Sequence, residues 1–244
     1  MVVRVGLIGC EMNLRSLFFP SAFLIVSCGA PTAHAQTRVG EAVVIQNEVV
    51  RVAATTTPIN VGDSMLRDET VRTGSNSAAR FVMADSTNLS LGPSATLKLD
   101  RTVFNDEHSY RDVAIRMTTG AFRFVTGHSE KTAYKITTPL ATIGVRGTTL
   151  DVLSQRGRSV VVLQDGAASV CTTSLQCVQL TQPGDTAIIT LSGGKITITQ
   201  TNTPPWTFAA TCTAAAGLCS VNQYADASPT ITPAVTEDGM LCGR

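Results

Sequence analysis

From Val39 onward the chain is a series of short runs in which apolar and polar residues alternate, separated by Gly, Asp, Asn and Pro. "VGEAVVIQNEVVRV" opens the series and breaks near Gln46-Asn47. "INVGDSMLRDETVRTGSNSAARFVMAD" follows, with turn residues at Gly62-Asp63 and Gly74-Ser75-Asn76. In "TNLSLGPSATLKLD", Leu89/Leu91 and Leu97/Leu99 alternate on either side of a Gly-Pro turn. A period of two bounded by turn residues predicts half-buried strands, because successive side chains of a strand point to opposite faces. "TVFNDEHSYRD" reads as a polar interruption. "VAIRMTTGAFRFVTG" and "AYKITTPLATIGVRGTTLDVL" resume the pattern. "RSVVVLQDGAASVC" and "CVQLTQPGDTAIIT" each read as strand–turn–strand, and "GGKITITQ" closes the series. No helix is expected over this region. Strands at intervals of about 8–12 residues predict an all-β domain, a sandwich, barrel or solenoid. The recurring Gly at corners leans toward a solenoid, although no fixed period stands out.

The two ends break the pattern. Arg15 precedes the apolar "SLFFPSAFLIVSCGAP", and Ala33 to Ala35 supply the small-x-small pattern of a signal-peptidase site before Gln36. This predicts a cleaved export signal over residues 1–35, with Met12 as the expected start. A competing reading takes Ile25-Val26-Ser27-Cys28 as a lipobox, which would anchor the chain through Cys28. The apolar stretch is interrupted by Pro20, Ser27 and Gly29 and is too short to span a bilayer as a mature helix. After about Gln200 the chain turns rich in Thr, Ala and Pro, so residues 36–200 form the expected domain and residues 201–244 an irregular tail. Trp206, after Pro204-Pro205, is expected to pack back on the domain rather than to stack a ligand.

Composition narrows the function classes. Charged residues are only 15% of the chain and aromatics 5%. The formal charge is +1, and it becomes zero once Arg4, Glu11 and Arg15 leave with the signal. A nucleic-acid partner held by phosphate neutralisation has no support in such a balance. Of seven cysteines, Cys10 and Cys28 fall in the leader. Cys171/Cys177 and Cys212/Cys219 each enclose a short loop and are expected to form local disulfides in an oxidising compartment. Zinc is the alternative, but Cys-x-x-Cys spacing is missing, and His108 and His128 lie far off in sequence. Cys242 is left over, either free or paired outside the chain.

No catalytic set emerges. His108 beside Asp106 and Glu107 could suggest acid–base work, but a charged connector explains it as well, and no Gly-x-Ser-x-Gly elbow is present. "GVRG" lacks the lysine of a phosphate loop. Asp85, Asp100 and Asp106 do not form a calcium-loop run, so no metal or cofactor is expected.

The most distinctive stretch is "TTPLATIGVRGTTLDV", Thr137 to Val152. Pro139 needs a strand-start or edge position, since it has no N–H for a ladder. Ile143 and Val145 alternate, then Leu150 and Val152 do so with a phase change around Gly147, as a bulge or corner there would produce. Gly144 and Gly147 are expected where backbone passes close by or turns. Arg146, with five donors, is expected to clamp carbonyls of its own corner, with ligand capture as the alternative. Thr148 completes the motif.

"TPLATIGVRGTTLDV" resembles the signature of the FecR domain, the periplasmic sensor module named for the ferric-citrate regulator. "VGDSMLRDETVRTGSNSAARFVMADSTNLSLGPSATLKL", "MTTGAFRFVTG" and "VVVLQDGAASV" resemble its flanking elements, so the likeness runs from Val39 to Thr190. It implies an all-β FecR-like β-solenoid or twisted β-sandwich of many short strands, and a motif Pro139, Gly144, Arg146, Gly147 and Thr148 that is structural. Regulators of this family carry a cytoplasmic anti-sigma domain and a transmembrane helix ahead of the FecR domain. Neither is read here, so anti-sigma activity is not carried over. The resemblance implies a periplasmic or secreted, non-enzymatic binding or scaffold module whose partner is another envelope protein, and its edge strands, by strand addition, or its corner loops are expected to meet that partner. An adhesin or glycan-binding module is the alternative. It calls for exposed aromatics, and Tyr110, Tyr134, Trp206 and Tyr224 are scattered.

Overall fold

The computed structural model describes residues 37–106, 108–130 and 132–214. They form fifteen strands and one short helix: β1 Arg38–Gln46, β2 Val49–Val52, β3 Thr56–Pro58, β4 Ser64–Leu66, β5 Thr70–Thr73, β6 Ala78–Met83, β7 Asn88–Leu91, β8 Thr96–Asp106, β9 Ser109–Val125, β10 Tyr134–Thr137, β11 Ala141–Gln155, β12 Arg158–Thr172, β13 Cys177–Leu180, β14 Thr186–Ser192, β15 Lys195–Thr201 and α1 Phe208–Ala214. All strands belong to one sheet whose main path runs β15-β14-β12-β11-β10-β9-β7-β6-β1-β4. β13 pairs with β12, and β8 joins β5, β2 and β3 to the path through β9. Only the β9–β10 pair is parallel among the described strands. The expected all-β domain of many short strands is what the described residues form, in one sheet that is antiparallel apart from this pair. The long strands β9, β11 and β12 lie at the middle of that sheet.

The alternation explains the core. Buried residues from Val39 of β1 to Ile189 of β14 belong to one contiguous apolar cluster, so the inner face of the sheet closes on a single interior. Phe81, Phe122 and Phe124 are fully buried in it. Each fully buried side chain of this size contributes about 1.5–3 kcal/mol.

Three sequence expectations are corrected. The polar stretch around "FNDEHSY" is not an interruption but the tip of the β8–β9 hairpin, whose register shifts four times between Thr96 and Ser109. "VVVLQDGAASV" does not reverse at Asp165-Gly166. Strand β12 continues through it, because Gly166 (φ 82°) faces the shifted register of β11 between Arg146 and Leu150, where Gly147 also takes positive φ (59°). Two facing irregularities bend both strands together and leave neither to turn back. The tail also begins with a helix, α1, and Phe208 at its start is 1% exposed against Ala78 and Ala121. Half-buried Trp206 packs on the same cluster and donates through Nε1 to Thr211 Oγ1 at 2.6 Å.

Polar ties close the sheet where apolar packing ends. Tyr110 Oη donates to the carbonyl of Val39 at 2.6 Å and accepts from the amide of Ala84 at 3.1 Å, joining β9 to β1 and to the end of β6. Burial raises this phenol above the ordinary tyrosine range, which keeps it in its donor form.

A Cβ at position 166 would collide with the Gly147 carbonyl oxygen, and the backbone there is left-handed. Gly166→Ala is expected to cost about 3 kcal/mol or more in equilibrium denaturant unfolding. A loss below about 0.5 kcal/mol would show that the two bends do not depend on each other.

Candidate functional site

The signature segment begins with a closed turn. Thr138 Oγ1 accepts from the amides of Leu140 at 3.3 Å and Ala141 at 3.1 Å, and the hydroxyl of Ser159 donates to it at 3.1 Å. Pro139 sits in this turn between β10 and β11, where no ladder N–H is asked of it. Strand β11 then points Ile143 and Val145 into the core. Gly144 and Arg146 lie on the opposite, exposed face.

At the bend the polar work is done by threonine. Thr148 Oγ1 accepts from the Arg146 amide at 2.8 Å and donates to the Ala167 carbonyl at 2.8 Å. The Thr148 amide donates to Thr126 Oγ1 at 2.9 Å, and the Thr126 hydroxyl and amide both donate to the Thr148 carbonyl at 3.0 Å. The Arg146 guanidinium takes no part. It is exposed and makes no hydrogen bond or ion pair among the described residues. The expected arginine clamp is thus corrected: a hydroxyl both gives and takes a bond from within the bend, so the carbonyls are met without a long side chain. Gly144 is corrected as well. Its backbone is not left-handed, and a Cβ there would meet nothing within 4 Å. Neither turning nor internal packing requires that glycine.

Arg146 and Gly144 instead border an open groove of about 380 Å3. Thr132 and Tyr134 line it on one side and Ser169 and Gln179 on the other, with Ala167 and Ala168 between. Gln179 Nε2 donates to Ser169 Oγ at 2.9 Å. Nearby, Cys171 of β12 and Cys177 of β13 are joined in the expected disulfide. The second pairing, Cys212 with Cys219, lies outside the described residues, as does Cys242.

The burial of Asp85 and of Asp151 was not read from the sequence. Asp85 is fully buried, and its carboxyl accepts from the Thr87 amide and hydroxyl at 3.0 Å each, from Ser129 Oγ at 2.7 Å and from Tyr134 Oη. These donors come from the β6–β7 turn, the segment after β9, and β10. Thr87 Oγ1 also accepts from the Gly127 amide at 3.0 Å, next to Thr126. Asp151 is likewise fully buried, on the outward side of β11. It accepts from Arg123 at 2.6 and 2.9 Å, from Gln164 Nε2 at 3.0 Å and from the Phe208 amide at 3.1 Å. Arg123 lies 5.5 Å from the centroid of the Phe208 ring. This acid docks the start of α1, and the short polar–apolar alternation of "TTLDV" gave no sign that its polar position would be covered.

Among the described residues no group of three or more His, Cys, Asp or Glu is placed to hold a metal. Asp85 and Asp100, weighed as calcium ligands, are taken up by protein donors, Asp100 by Lys98 at 2.9 Å and Arg116 at 2.7 Å. The Asp106 side chain and Glu107 lie outside the described residues. No described helix is long and apolar enough to cross a membrane.

Comparison with known proteins is consistent with this geometry. Residues 69–169 match the family "FecR protein", a span that holds the Asp85 cluster, the bend and both walls of β11 and β12 up to Ser169. No curated protein matches the chain. Two crystal structures of a candidate anti-sigma factor from Parabacteroides distasonis ATCC 8503, at 1.65 and 2.50 Å resolution, align with TM-score 0.43 and 16% identity. The alignment covers 53% of this chain and 58% of that one, and a likeness of that size carries no functional weight.

Arg146→Ala is expected to leave unfolding stability within about 0.5 kcal/mol of the wild type, as for an exposed side chain with no internal partner. Thr148→Val, which strands the Arg146 amide and the Ala167 carbonyl, is expected to cost about 1–3 kcal/mol. Denaturant titration of the two variants side by side checks this, and the reverse order would restore the arginine clamp.

Proposed function

Because the chain carries a FecR domain over residues 69–169, we propose that it is a non-enzymatic binding or scaffold module of the cell envelope, acting in signalling there. The family match is the observation that carries this reading, since FecR proteins are regulators rather than catalysts. The internal chemistry supports it. The buried acids Asp85 and Asp151 are engaged by several protein donors each inside the fold, as carboxylates that hold structure together are. The export signal expected over residues 1–35 and the Cys171–Cys177 disulfide favour the periplasm or the exterior. The partner is another envelope protein.

The glycan-binding alternative draws no support from the aromatics. Tyr110 and Tyr134 are buried at 1% and 3% exposure, and Trp206 packs on Phe208 rather than standing free. Tyr224 lies outside the described residues.

The test is capture in the native host. Tagged full chain is crosslinked in living cells and purified from the envelope fraction, and its companions are identified by mass spectrometry. One envelope protein recovered reproducibly, with the tagged chain starting at Gln36, is the expected result. Recovery of the tagged chain from the cytoplasm with its leader intact and no companion would contradict the proposal.

A further inference from the structure

We propose that the groove beside Arg146 is the recognition site for an extended segment of the partner protein that carries a carboxylate side chain. The inference rests on the binding-module reading above and adds the chemistry of what is bound. Three observations on different atoms converge.

The first is Gly144. Glycine inside a strand is destabilising by roughly 0.5–1 kcal/mol relative to alanine, and it is kept where a turn, a bulge or a close backbone approach demands it. Here the backbone is ordinary, and a Cβ would enter open space. Gly147 and Gly166, in contrast, have positive φ, and Gly166 lies against the Gly147 carbonyl. The bare backbone at Gly144 thus has no purpose within the described residues, and it lies on the groove. A second backbone from outside the domain can come close there.

The second is Arg146. Its amide is held by Thr148, which fixes the base of the side chain at the bend. Its guanidinium is left without an acid or carbonyl among the described residues. On β9, Arg123 holds Asp151 and Arg116 holds Asp100, and of the arginines on the central strands Arg146 is the one that borders the groove. A fork of donors held at its root and unpaired at its tip suits bidentate capture of a carboxylate.

The third is the make-up of the groove. Apart from Arg146 its lining is neutral: Thr132 and Tyr134 on one side, Ser169 and Gln179 on the other. One positive charge in a neutral frame matches one carboxylate. The flanking hydroxyl and amide groups are the complement of a peptide's own N–H and C=O groups.

The test uses the purified full chain and a displayed library of random octapeptides. The expected result is enrichment of Asp or Glu at one position. Arg146→Gln is expected to reduce that enrichment about tenfold or more, and Arg146→Glu to select Lys or Arg at the same position. Gly144→Thr, which fills the floor without strain in a strand, is expected to abolish selection while the unfolding midpoint holds. No acidic position selected by the wild type, or the same selection by Arg146→Gln, would overturn the inference. A photo-crosslinker at Gln179 that joins residues 215–244 of the same chain, or a second copy, would overturn it by naming a different occupant. Envelope capture that succeeds and is unchanged in Arg146→Gln would leave the module reading intact and remove only this site.

Discussion

The buried carboxyl of Asp85 is the contact on which the rest of the architecture depends. A sheet of fifteen strands must fasten strands that are distant in sequence. Asp85 does so by gathering donors from the β6–β7 turn, the segment after β9, and β10. An acceptor with no access to water needs all of these donors, and each donor needs it, so the segments are fixed relative to one another. Gly127 follows from the same contact: a Cβ there would run into the Asp85 carbonyl, which itself accepts from the His128 amide at 2.8 Å. From Gly127 the tie passes through Thr126 to Thr148 and so to the bend of β11 against β12. Short polar side chains therefore hold the signature corner from the inside.

That arrangement frees the outer face. Along β11 the outward positions after the bend are covered, since Asp151 receives the Phe208 amide and Leu153 packs with Phe208. Before the bend, Gly144 and Arg146 stay bare. One strand thus carries a sealed stretch and an open one, divided by the Gly147 irregularity. Stability and recognition fall on different residues of the same motif: Thr138 and Thr148 serve the fold, while Gly144 and Arg146 face outward.

Much of the fold was legible in the chain. Turns at Asn47, Gly62, Gly74 and Gly92 separate observed strands, and the phase change at Gly147 coincides with an observed shift of register. These features depend on local chemistry, on positive φ and on a period of two, and local chemistry is what a sequence displays. The misreadings share a different cause. Asp165-Gly166 has the composition of a turn, and only the facing bend of β11 turns it into a continuation. Phe208 becomes a core residue because Ala78 and Ala121 meet its ring and Asp151 its amide, all far away in sequence. The same holds at the candidate site. Arg146 and Gly144 were visible as motif residues, but their purpose hangs on which partners they lack, and that can be known only once every neighbour is in place. Asp85 was visible as an acid and weighed as a metal ligand. Its donors Ser129 and Tyr134, more than forty residues away, account for its burial.

The unfolding free energy of Asp85→Ala is the most direct measurement of the architecture's dependence on this carboxyl. Removing the carboxyl leaves the Thr87 amide and three buried hydroxyls short of an acceptor. A loss of about 3 kcal/mol or more is the predicted result, enough to threaten folding in a domain of ordinary marginal stability. A loss within about 0.5 kcal/mol would mean that the segments are held by apolar packing alone, and it would contradict the account.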